Sequence, residues 1–382
     1  MSGGVVIAGT GMHPFGRFEG ASTTDLGVTA VRAALREAGV GKGGFQAAFC
    51  GTAYGGVATG HKVLSRLGIT GMGVPIVDVE AGCASGSAAL MLAGAAIRGG
   101  QYDTVLVFGV DKMPKGIIRS SFFEPWQEEA GLAATPSFFA LRAQRLALTS
   151  GVTKDHLARV VVKNRRHGVA NPDAMFRKET SVNEVLASRV VCEPLHLFML
   201  CSPNEGAAAL VLTRADLVSS PSPVRLAAAV LRSHAPGPVL SESTPLSGLT
   251  DDDVPAPSTL AARAAYEESG IGPADLDVVE CQDTDAAREL QSCEELGLCE
   301  PGGSADFLDS GATALGGRLP VNASGGLLSK GEPLGASALG QVVDLVRQLR
   351  SKCGERQVEG ACAALAHTVG RGANAGVVIL SR

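Results

Sequence analysis

The sequence predicts a layered α/β fold. Short runs of β-branched residues alternate with longer alanine-rich segments of helical periodicity, which is typical of parallel β-α-β units. Hydrophobic residues make up 45% of the 382 residues, and a chain of this length can bury two cores. Aromatic residues reach only 4% whereas glycines number 49, so we expect layers packed through alanine, valine and leucine with close backbone approaches.

The first half contains one complete β-α-β crossover. Residues 5–8 are predicted as a strand, followed by a helix at 24–38 that Asp25 helps to cap and Gly39 ends. The crossover itself is predicted as strand 74–79, helix 84–98 and strand 104–109. A second, mostly helical lobe is expected at 113–200, where aromatic residues cluster. The chain then returns to a strand at 207–212.

The second half repeats this order in outline, which suggests an internal duplication. A Pro/Ser-rich boundary at 219–223 separates the predicted halves, residues 1–222 and 223–382. Five prolines and an acidic run at 251–253 predict a surface loop over 233–258. The further predicted elements are a strand ending at 279, helices at 286–296 and 336–349, a turn at 321–326 and a strand at 375–380.

Charge and cysteine usage exclude several classes of function. The net charge is −5 and no basic run is interleaved with aromatic residues, so we expect no nucleic-acid partner. The nine cysteines include no C-x-x-C pair, which argues against a disulfide framework and against a metal site. Neither a signal peptide nor an apolar run of about 18 residues is evident, so we expect a soluble, cytoplasmic protein without a membrane span.

The motif with the most specific chemistry is GCASGS at residues 82–87. An apolar strand runs into small residues and then into an alanine-rich helix, which places Cys83 on a tight turn at a helix N-terminus. The helix dipole and free N–H groups there favour the thiolate and can hold an oxyanion. The alternative is a buried structural cysteine, which is the usual state of a free thiol. The strand-turn-helix context favours the nucleophile.

Two further glycine-rich stretches carry candidate binding residues. Residues 322–326 read NASGG and are followed by KGEPLGAS at 330–337, where Pro333 precedes a helix. Residues 367–374 read HTVGRGAN before the final strand. Glycine-rich loops either bring the backbone close to a ligand or simply turn the chain. We select Asn322, Ser324, Gly325 and Gly370 as candidate substrate-binding residues.

Together and in this order, these motifs resemble the thiolase superfamily over nearly the whole chain. The similarity includes the segment NPDAMF at 171–176 and the strand GAAALVL at 206–212, and it is greatest to the sterol-carrier and lipid-transfer branch. The resemblance implies two βαβαβαββ halves in a five-layer αβαβα arrangement. It also implies acyl-CoA as the substrate class, no separate cofactor, and a homodimer or tetramer. We expect the partner subunit to cover a strand edge near residues 102–109.

Three departures from the family motifs affect the chemistry. The sequence Gly331-Glu332-Pro333 stands where the family has G-H-P, whose histidine takes the proton from the nucleophilic cysteine. Residues 282–285 read QDTD where this branch has H-D-C-F or H-D-A-F, so both the oxyanion histidine and the alternative acid–base cysteine are missing there. Asn-Glu-Gly at 204–206 also replaces the usual S-D-G. Cys281 adjoins the QDTD motif, but an extended strand turns it to the opposite face.

The remaining polar residues of these motifs are the candidates for replacing the lost groups. Glu332 is expected to act as the base for Cys83, and Gln282 to donate a neutral hydrogen bond to the thioester oxygen. His367 is a third candidate, as an oxyanion donor or a proton shuttle, with a structural core histidine as its alternative. The other six histidines have no motif support and are assigned to structural or surface positions.

Three functions stay open at the level of sequence. The first is a divergent acyltransferase that forms an acyl-Cys83 thioester from an acyl-CoA or acyl-carrier thioester. The second is a retro-aldolase of thiolase fold that acts on acyl-CoA or steroid side chains with an OB-fold partner protein. The third is a non-catalytic lipid- or acyl-binding subunit. The intact elbow at Cys83 favours the first, whereas the loss of both motif histidines favours the third.

Overall fold

The computed structural model describes residues 4–116, 125–129, 135–219, 223–233, 255–370 and 374–382. Several predicted features therefore lie outside the described residues. They are the boundary residues 220–222, most of the loop expected at 233–258 including its acidic run, and residues 371–373 of the last glycine turn.

Within the described residues, nine strands form one mixed sheet and two more form a small hairpin. The strands are β1 (Val5–Gly16), β2 (Ala47–Gly51), β3 (Ile76–Val79), β4 (Thr104–Lys112), β5 (Val190–Cys192), β6 (Leu195–His196), β7 (Glu205–Arg214), β8 (Arg225–Arg232), β9 (Val278–Glu280), β10 (Ala363–Gly370) and β11 (Asn374–Ser381). The order in the large sheet is β3-β2-β4-β7-β1-β8-β11-β10-β9, and β5 pairs with β6. The first-half strands thus stand on one side of the β1–β8 junction and the second-half strands on the other.

The helices surround this sheet. They are α1 (Thr23–Ala38), α2 (Thr59–Arg66), α3 (Ser85–Arg98), α4 (Pro125–Glu129), α5 (Thr135–Thr149), α6 (Lys154–Val169), α7 (Val182–Ala187), α8 (Pro257–Ser269), α9 (Ala286–Glu295), α10 (Ser304–Asp309), α11 (Gly326–Lys330) and α12 (Leu334–Leu349). The predicted crossover helix at 84–98 and the long helix at 336–349 correspond to α3 and α12.

Three apolar cores define the layers. The central core combines α3 and α12 with strand residues from both halves, so these two helices lie between the halves. A second core packs α1 and α2 against the outer face of the first-half strands. A third packs α8 and α9 against the outer face of the second-half strands. The result is the expected αβαβα arrangement of the thiolase fold.

The described residues of the lobe at 113–200 are mostly helical and include the β5–β6 hairpin. A fourth apolar core joins α5 and α6 to α9, α10 and α11 of the second half. Through this packing, residues 199–204, where the lobe ends and the chain continues to β7, lie next to the turns at 282–285 and 331–333. The lobe thereby connects the two halves of the chain on the side of the candidate site.

Helix ends follow the local sequence, with one correction. Ser22 and Asp25 form a reciprocal capping box at the start of α1, and Gly39 ends it in the left-handed conformation with φ 66°. The predicted loop at 233–258 is too long at its C-terminal side, because Pro257 occupies the first position of α8 and Ser258 already belongs to the helix. Proline is favoured there since its missing N–H has no partner in a first helical turn.

The expectation that residues 102–109 form a sheet edge is wrong. Strand β4 pairs in parallel with β2 on one side and antiparallel with β7 on the other, so it lies inside the sheet. The first-half edge is β3, which pairs only with β2 among the described strands. Val77 on this edge is 43% exposed. Along the described chain no helix combines the length and the apolar character that crossing a membrane requires.

Candidate active site

A short turn between β3 and α3 presents Cys83. Residues Gly82–Ala84 form one turn of 3-10 helix that runs directly into α3. Gly82 has φ 59°, which favours glycine, and its carbonyl accepts a hydrogen bond from the Ser85 hydroxyl at 2.6 Å. The same hydroxyl accepts the Ala81 N–H at 2.9 Å. These bonds fix the turn, and they leave Cys83 partly exposed whereas Cys281 is buried.

The neighbouring elements β10 and α12 pack closely against this turn and the start of α3. Gly370, at the end of β10, lies so near Ala81 that a methyl group at Gly370 would overlap the Ala81 carbonyl oxygen. The first turns of α3 and α12 also meet, because a methyl group at Gly86 would lie 3.2 Å from the carbonyl oxygen of Gly335. Asp111 accepts the Gly335 N–H at 2.6 Å and holds this end of α12 in place. The N-termini of α3 and α12 therefore converge at Cys83.

Glu332 lies in the turn immediately before α12, whose first turn packs against the first turn of α3. Its backbone N–H donates to the Ser202 carbonyl at 2.9 Å, which ties the turn to the end of the lobe. Its side chain is only 5% exposed. Gln282 donates from Nε2 to Oε1 of Glu332 at 2.9 Å, and Cys201 donates from Sγ to Oε2 at 3.3 Å. The carboxylate is thus held at both oxygens.

Cys201 is a site residue that the sequence reasoning missed. Its backbone N–H donates to the Thr284 carbonyl at 2.9 Å. Burial, followed by the negative charge of Glu332, raises the pKa of the Cys201 thiol well above its usual value, and Cys83 contributes in the same direction. No spacing or periodicity in the sequence marks Cys201, because it follows the lobe without a recognisable motif.

Gln282 is directed at Glu332. Its Nε2 donates to the carboxylate, while its Oε1 is buried without a hydrogen-bond partner in the described part of the chain. The side chain is 1% exposed. This geometry makes Gln282 a residue that positions Glu332, whereas the sequence suggested a direct donor to the thioester oxygen.

The structure does not bring His367 to Cys83. Strand β10 turns alternate side chains to opposite faces, and Thr368 faces α3, where its hydroxyl lies 2.8 Å from that of Ser87. His367 therefore points the other way, to α8, where Nε2 lies 3.0 Å from the Ser258 hydroxyl. Burial lowers the pKa of His367 well below its usual value. This placement contradicts the catalytic role expected for His367, and it fits the alternative of a core histidine.

Three of the four candidate binding residues stabilise the loop at 322–326. Asn322 donates from Nδ2 to Glu289 at 2.7 Å, and the Ser324 backbone N–H donates to Glu280 at 2.8 Å. Gly325 has φ 96°, which favours glycine. Asn322 and Ser324 have no exposed surface. Their polar groups are thus committed to neighbouring carboxylates, and of the four candidates Gly370 is the one that contacts the Cys83 turn.

A buried histidine holds this loop from the lobe side. His167 on α6 donates from Nδ1 to the Asn322 carbonyl at 3.0 Å, and its Nε2 accepts the Leu315 N–H at 3.1 Å. Burial, followed by the charge of Lys163, lowers the pKa of His167 to about 3. The ring is therefore neutral near neutral pH, which is the form that both hydrogen bonds need.

Paired charges beneath the same loop make it rigid. Lys330 is fully buried and donates to Asp344 at 2.7 Å, with Glu280 at 3.7 Å. Burial by itself disfavours the ammonium, but Asp344 and Glu280 outweigh it and raise the pKa of Lys330. Breaking such a pair leaves an uncompensated buried charge, which is strongly destabilising. The segment from the loop at 322–326 to Lys330, which precedes Glu332, therefore has little freedom.

Comparison with known proteins identifies matches to both halves of the chain. A family model described as "Thiolase, N-terminal domain" matches residues 5–216, and one described as "Thiolase C-terminal domain-like" matches residues 249–382. Benzoylsuccinyl-CoA thiolase subunit BbsB of Thauera aromatica is 36% identical over 380 aligned positions, covering 97% of this chain and 96% of that protein. Sterol carrier protein 2 of Bos taurus is 34% identical, covering 96% of this chain and 70% of that protein.

Solved structures show the same fold. The Ltp2-ChsH2(DUF35) aldolase superimposes with a TM-score of 0.85 at 23% identity, covering 99% of this chain and 97% of that one. Human mitochondrial 3-ketoacyl-CoA thiolase superimposes with a TM-score of 0.74 at 17% identity, covering 99% of each chain. The family matches, the similar relatives and the shared fold agree, and we conclude that this chain belongs to the thiolase family.

Proposed function

We propose that this chain is a divergent thiolase-like acyltransferase. It takes an acyl group from an acyl-CoA or carrier-protein thioester onto Cys83 and passes it to a carbon or another nucleophile. The observation that carries this proposal is the partly exposed thiol of Cys83 on a turn where two helix N-termini converge. Helix N-termini stabilise a thiolate and the oxyanion that forms when a thiolate attacks a thioester.

Glu332 is the base in this proposal. A fixed negative charge next to Cys83 disfavours the thiolate, so the carboxylate helps only by accepting the proton of Cys83 during attack. Gln282 and Cys201 hold its two oxygens in place, which keeps the acceptor atoms in one geometry. The step uses the side chains of the chain and the thioester itself, without a further cofactor.

Acyl-CoA is the proposed substrate class because the relatives point to it. The similar proteins include a benzoylsuccinyl-CoA thiolase subunit and an acetyl-CoA acetyltransferase of Methanothermobacter thermautotrophicus, which is 33% identical over 99% of this chain. Sterol carrier protein 2 and a non-specific lipid-transfer protein-like relative extend the range to lipids.

The retro-aldolase alternative has less support from the side chains. Aldol cleavage needs an acid–base group at the substrate, and the tyrosines are the candidates that the resemblance suggests. Tyr266 donates its hydroxyl to the Leu296 carbonyl at 2.7 Å in the outer layer, away from Cys83. Tyr102 lies just before β4, where the Gln101 side-chain amide donates to its hydroxyl. Tyr54, whose backbone N–H donates to Asp111 at 2.9 Å, belongs to none of the motifs that carry the resemblance. Acyl transfer at Cys83 therefore remains the better-supported reaction.

We further propose assembly with other chains. The β3 edge carries exposed Val77, and the adjoining surface includes Met72 and Leu92, which are 51% and 39% exposed. Such an edge favours pairing with a second copy about a two-fold axis. An OB-fold partner protein is a second candidate, because one relative is named as a subunit and one similar structure is titled as a complex with a DUF35 partner.

Intact-mass analysis after incubation with a panel of acyl-CoAs tests the proposed function. We expect one added acyl mass on the wild type and none on Cys83→Ala. Cys192→Ala is the matched control, since Cys192 is another partly exposed thiol and lies on β5. Labelling that survives Cys83→Ala would remove the nucleophile, and a wild type that stays unlabelled with every thioester would favour the non-catalytic binding subunit.

A further inference from the structure

A buried ion pair joins the lobe to the turn at 282–285. Arg142 on α5 donates from Nη2 to Oδ2 of Asp285, the last residue of this turn. Asp285 has no exposed surface, and the side chain of Arg142 is 8% exposed. Asp285 stands where the resemblance places the phenylalanine of H-D-C-F or H-D-A-F. A charged pair therefore occupies a position where the family motif has an apolar ring.

Further contacts hold both side chains of this pair. The other oxygen of Asp285, Oδ1, accepts the Arg288 N–H at 3.0 Å, so the same carboxylate caps the start of α9. The Arg142 guanidinium lies over the rings of Phe138 and Phe139, 5.6 Å and 5.0 Å from their centroids. Charge-assisted hydrogen bonds and cation–π contacts both depend on orientation. The pair therefore fixes α5 of the lobe against the start of α9.

The pair lies where two segments of the site meet. Leu200 and Asp285 form an antiparallel β-bridge, and the Cys201 N–H donates at 2.9 Å to the carbonyl of the residue before Asp285. Each segment supplies one donor to the carboxylate of Glu332. Cys201 donates to Oε2 at 3.3 Å, and Gln282 donates to Oε1 at 2.9 Å. A shift of this junction would therefore move both groups that hold Glu332.

We propose that Arg142 is a positioning residue for the acyl loading of Cys83. Through Asp285 it holds the end of the lobe and the turn at 282–285 together, and so it keeps both donors to the Glu332 carboxylate in place. Arg142 takes no part in the proton transfer itself. This inference rests on the proposed function, in which Glu332 accepts the proton of Cys83.

Stability by itself gives little reason for a buried ion pair. Taking two charges out of water costs free energy that their attraction only partly offsets, and apolar residues of similar volume are often equally stable. Burial lowers the pKa of Arg142 below its usual value, although the charge of Asp285 acts in the opposite direction. What the pair adds to an apolar contact is a bond between two defined atoms. Such a bond suits a site that holds a proton acceptor, because a displacement of about 1 Å can slow catalysis by about 10²-fold.

Three variants separate positioning from stability. Arg142→Met leaves an unpaired buried carboxylate and Asp285→Asn an unpaired buried guanidinium, whereas the double variant Arg142→Met/Asp285→Asn has neither charge. Asparagine keeps the cap of α9, because its side-chain oxygen can still accept the N–H there. Denaturant titration measures the free energy of unfolding, and quenched intact-mass time courses measure acyl loading of Cys83. Arg214→Met is the control, since Arg214 forms a partly exposed ion pair with Asp103.

We expect both single variants to be less stable than the wild type and the double variant to regain much of that loss, because it buries no unpaired charge. Acyl loading should stay about 10–10²-fold slower in all three, since none of them has the bond that holds the junction. Added to Glu332→Gln, the double variant should slow loading no further than Glu332→Gln does alone. Both changes remove the same oriented carboxylate, so their effects should not add.

Two results would overturn the inference. Loading that recovers with stability in the double variant would show that the ion pair is only structural. Slowing that multiplies with that of Glu332→Gln would show that the pair acts independently of the carboxylate. A wild type that takes up no acyl group, or wild-type rates in Glu332→Gln, would instead remove the proposed acyl loading or its base, and this inference with it.

Discussion

The thiol of Cys201 donates to Oε2 of Glu332 at 3.3 Å, although the two residues are 131 positions apart in the chain. Cys201 directly follows the lobe of the first half, and Glu332 stands in the second half before α12. Gln282 holds the other oxygen of the same carboxylate at 2.9 Å. A carboxylate held at both oxygens has one accessible geometry, which is a condition for efficient proton transfer.

The first prediction concerns this carboxylate. Glu332→Gln keeps the size of the side chain and removes its ability to accept a proton, so acyl loading of Cys83 should slow by about 10²–10⁴-fold. Quenched intact-mass time courses measure the rate. Glu300→Gln, at an exposed carboxylate, is the control. Wild-type rates in Glu332→Gln would show that the helix N-terminus alone activates the thiol.

The second prediction concerns the close approach of β10 to the Cys83 turn. Gly370→Ala places a methyl group against the Ala81 carbonyl, and relieving the overlap moves the turn. We expect a loss of about 1–3 kcal/mol in the free energy of unfolding together with slower acyl loading. Gly43→Ala is the matched control, because no atom lies within 4 Å of a methyl group there. Denaturant titration checks the stability, and an unchanged midpoint would mean that the backbone relaxes freely.

The third prediction concerns pH. The folded protein lowers the pKa of His167 to about 3, whereas an unfolded histidine titrates near about 6.5. Between these values the unfolded chain binds more protons, so the contribution of His167 to stability is complete above about 6.5 and is lost as the pH falls towards 3. His167 by itself changes the free energy of unfolding by at most about 1.4 kcal/mol per pH unit.

Denaturant titrations at pH 7 and pH 5 on the wild type and His167→Gln measure this change. The variant should lose less stability than the wild type over that interval, because glutamine does not titrate. His61→Gln, at an exposed histidine of α2, should behave as the wild type does. Equal pH dependence in the wild type and His167→Gln would contradict the assignment of a neutral, buried ring.

The fourth prediction concerns assembly at the β3 edge. The wild type should be at least a dimer by light scattering, and Val77→Lys should shift it to smaller species, since a buried unpaired ammonium on each copy costs several kcal/mol. Leu217→Lys is the control, because Leu217 is 52% exposed in the turn after β7. A monomeric wild type, or a variant of unchanged size, would place the interface elsewhere or remove it.

Much of the fold could be predicted because its signals are local. The alternation of strands and helices, Gly39 after α1 and the turn that presents Cys83 each depend on residues adjacent in the chain. Periodicity and turn chemistry report such features directly. Glu332 was found in another way, from the resemblance, because it stands where the family motif G-H-P has a histidine.

The tertiary structure alone decided which side chains meet. Successive side chains of β10 point to opposite faces, so Thr368 faces α3 and His367 faces α8. A short apolar run does not show which residues of a strand face which side, because that depends on strand register. Asn322, a candidate substrate contact in the sequence, is buried and hydrogen-bonded to Glu289, so it stabilises its own loop. By itself, the sequence determined the order of the elements and the position of Cys83 on its turn. Contacts such as Cys201 to Glu332 arise from the packing of distant segments, which residue spacing does not encode.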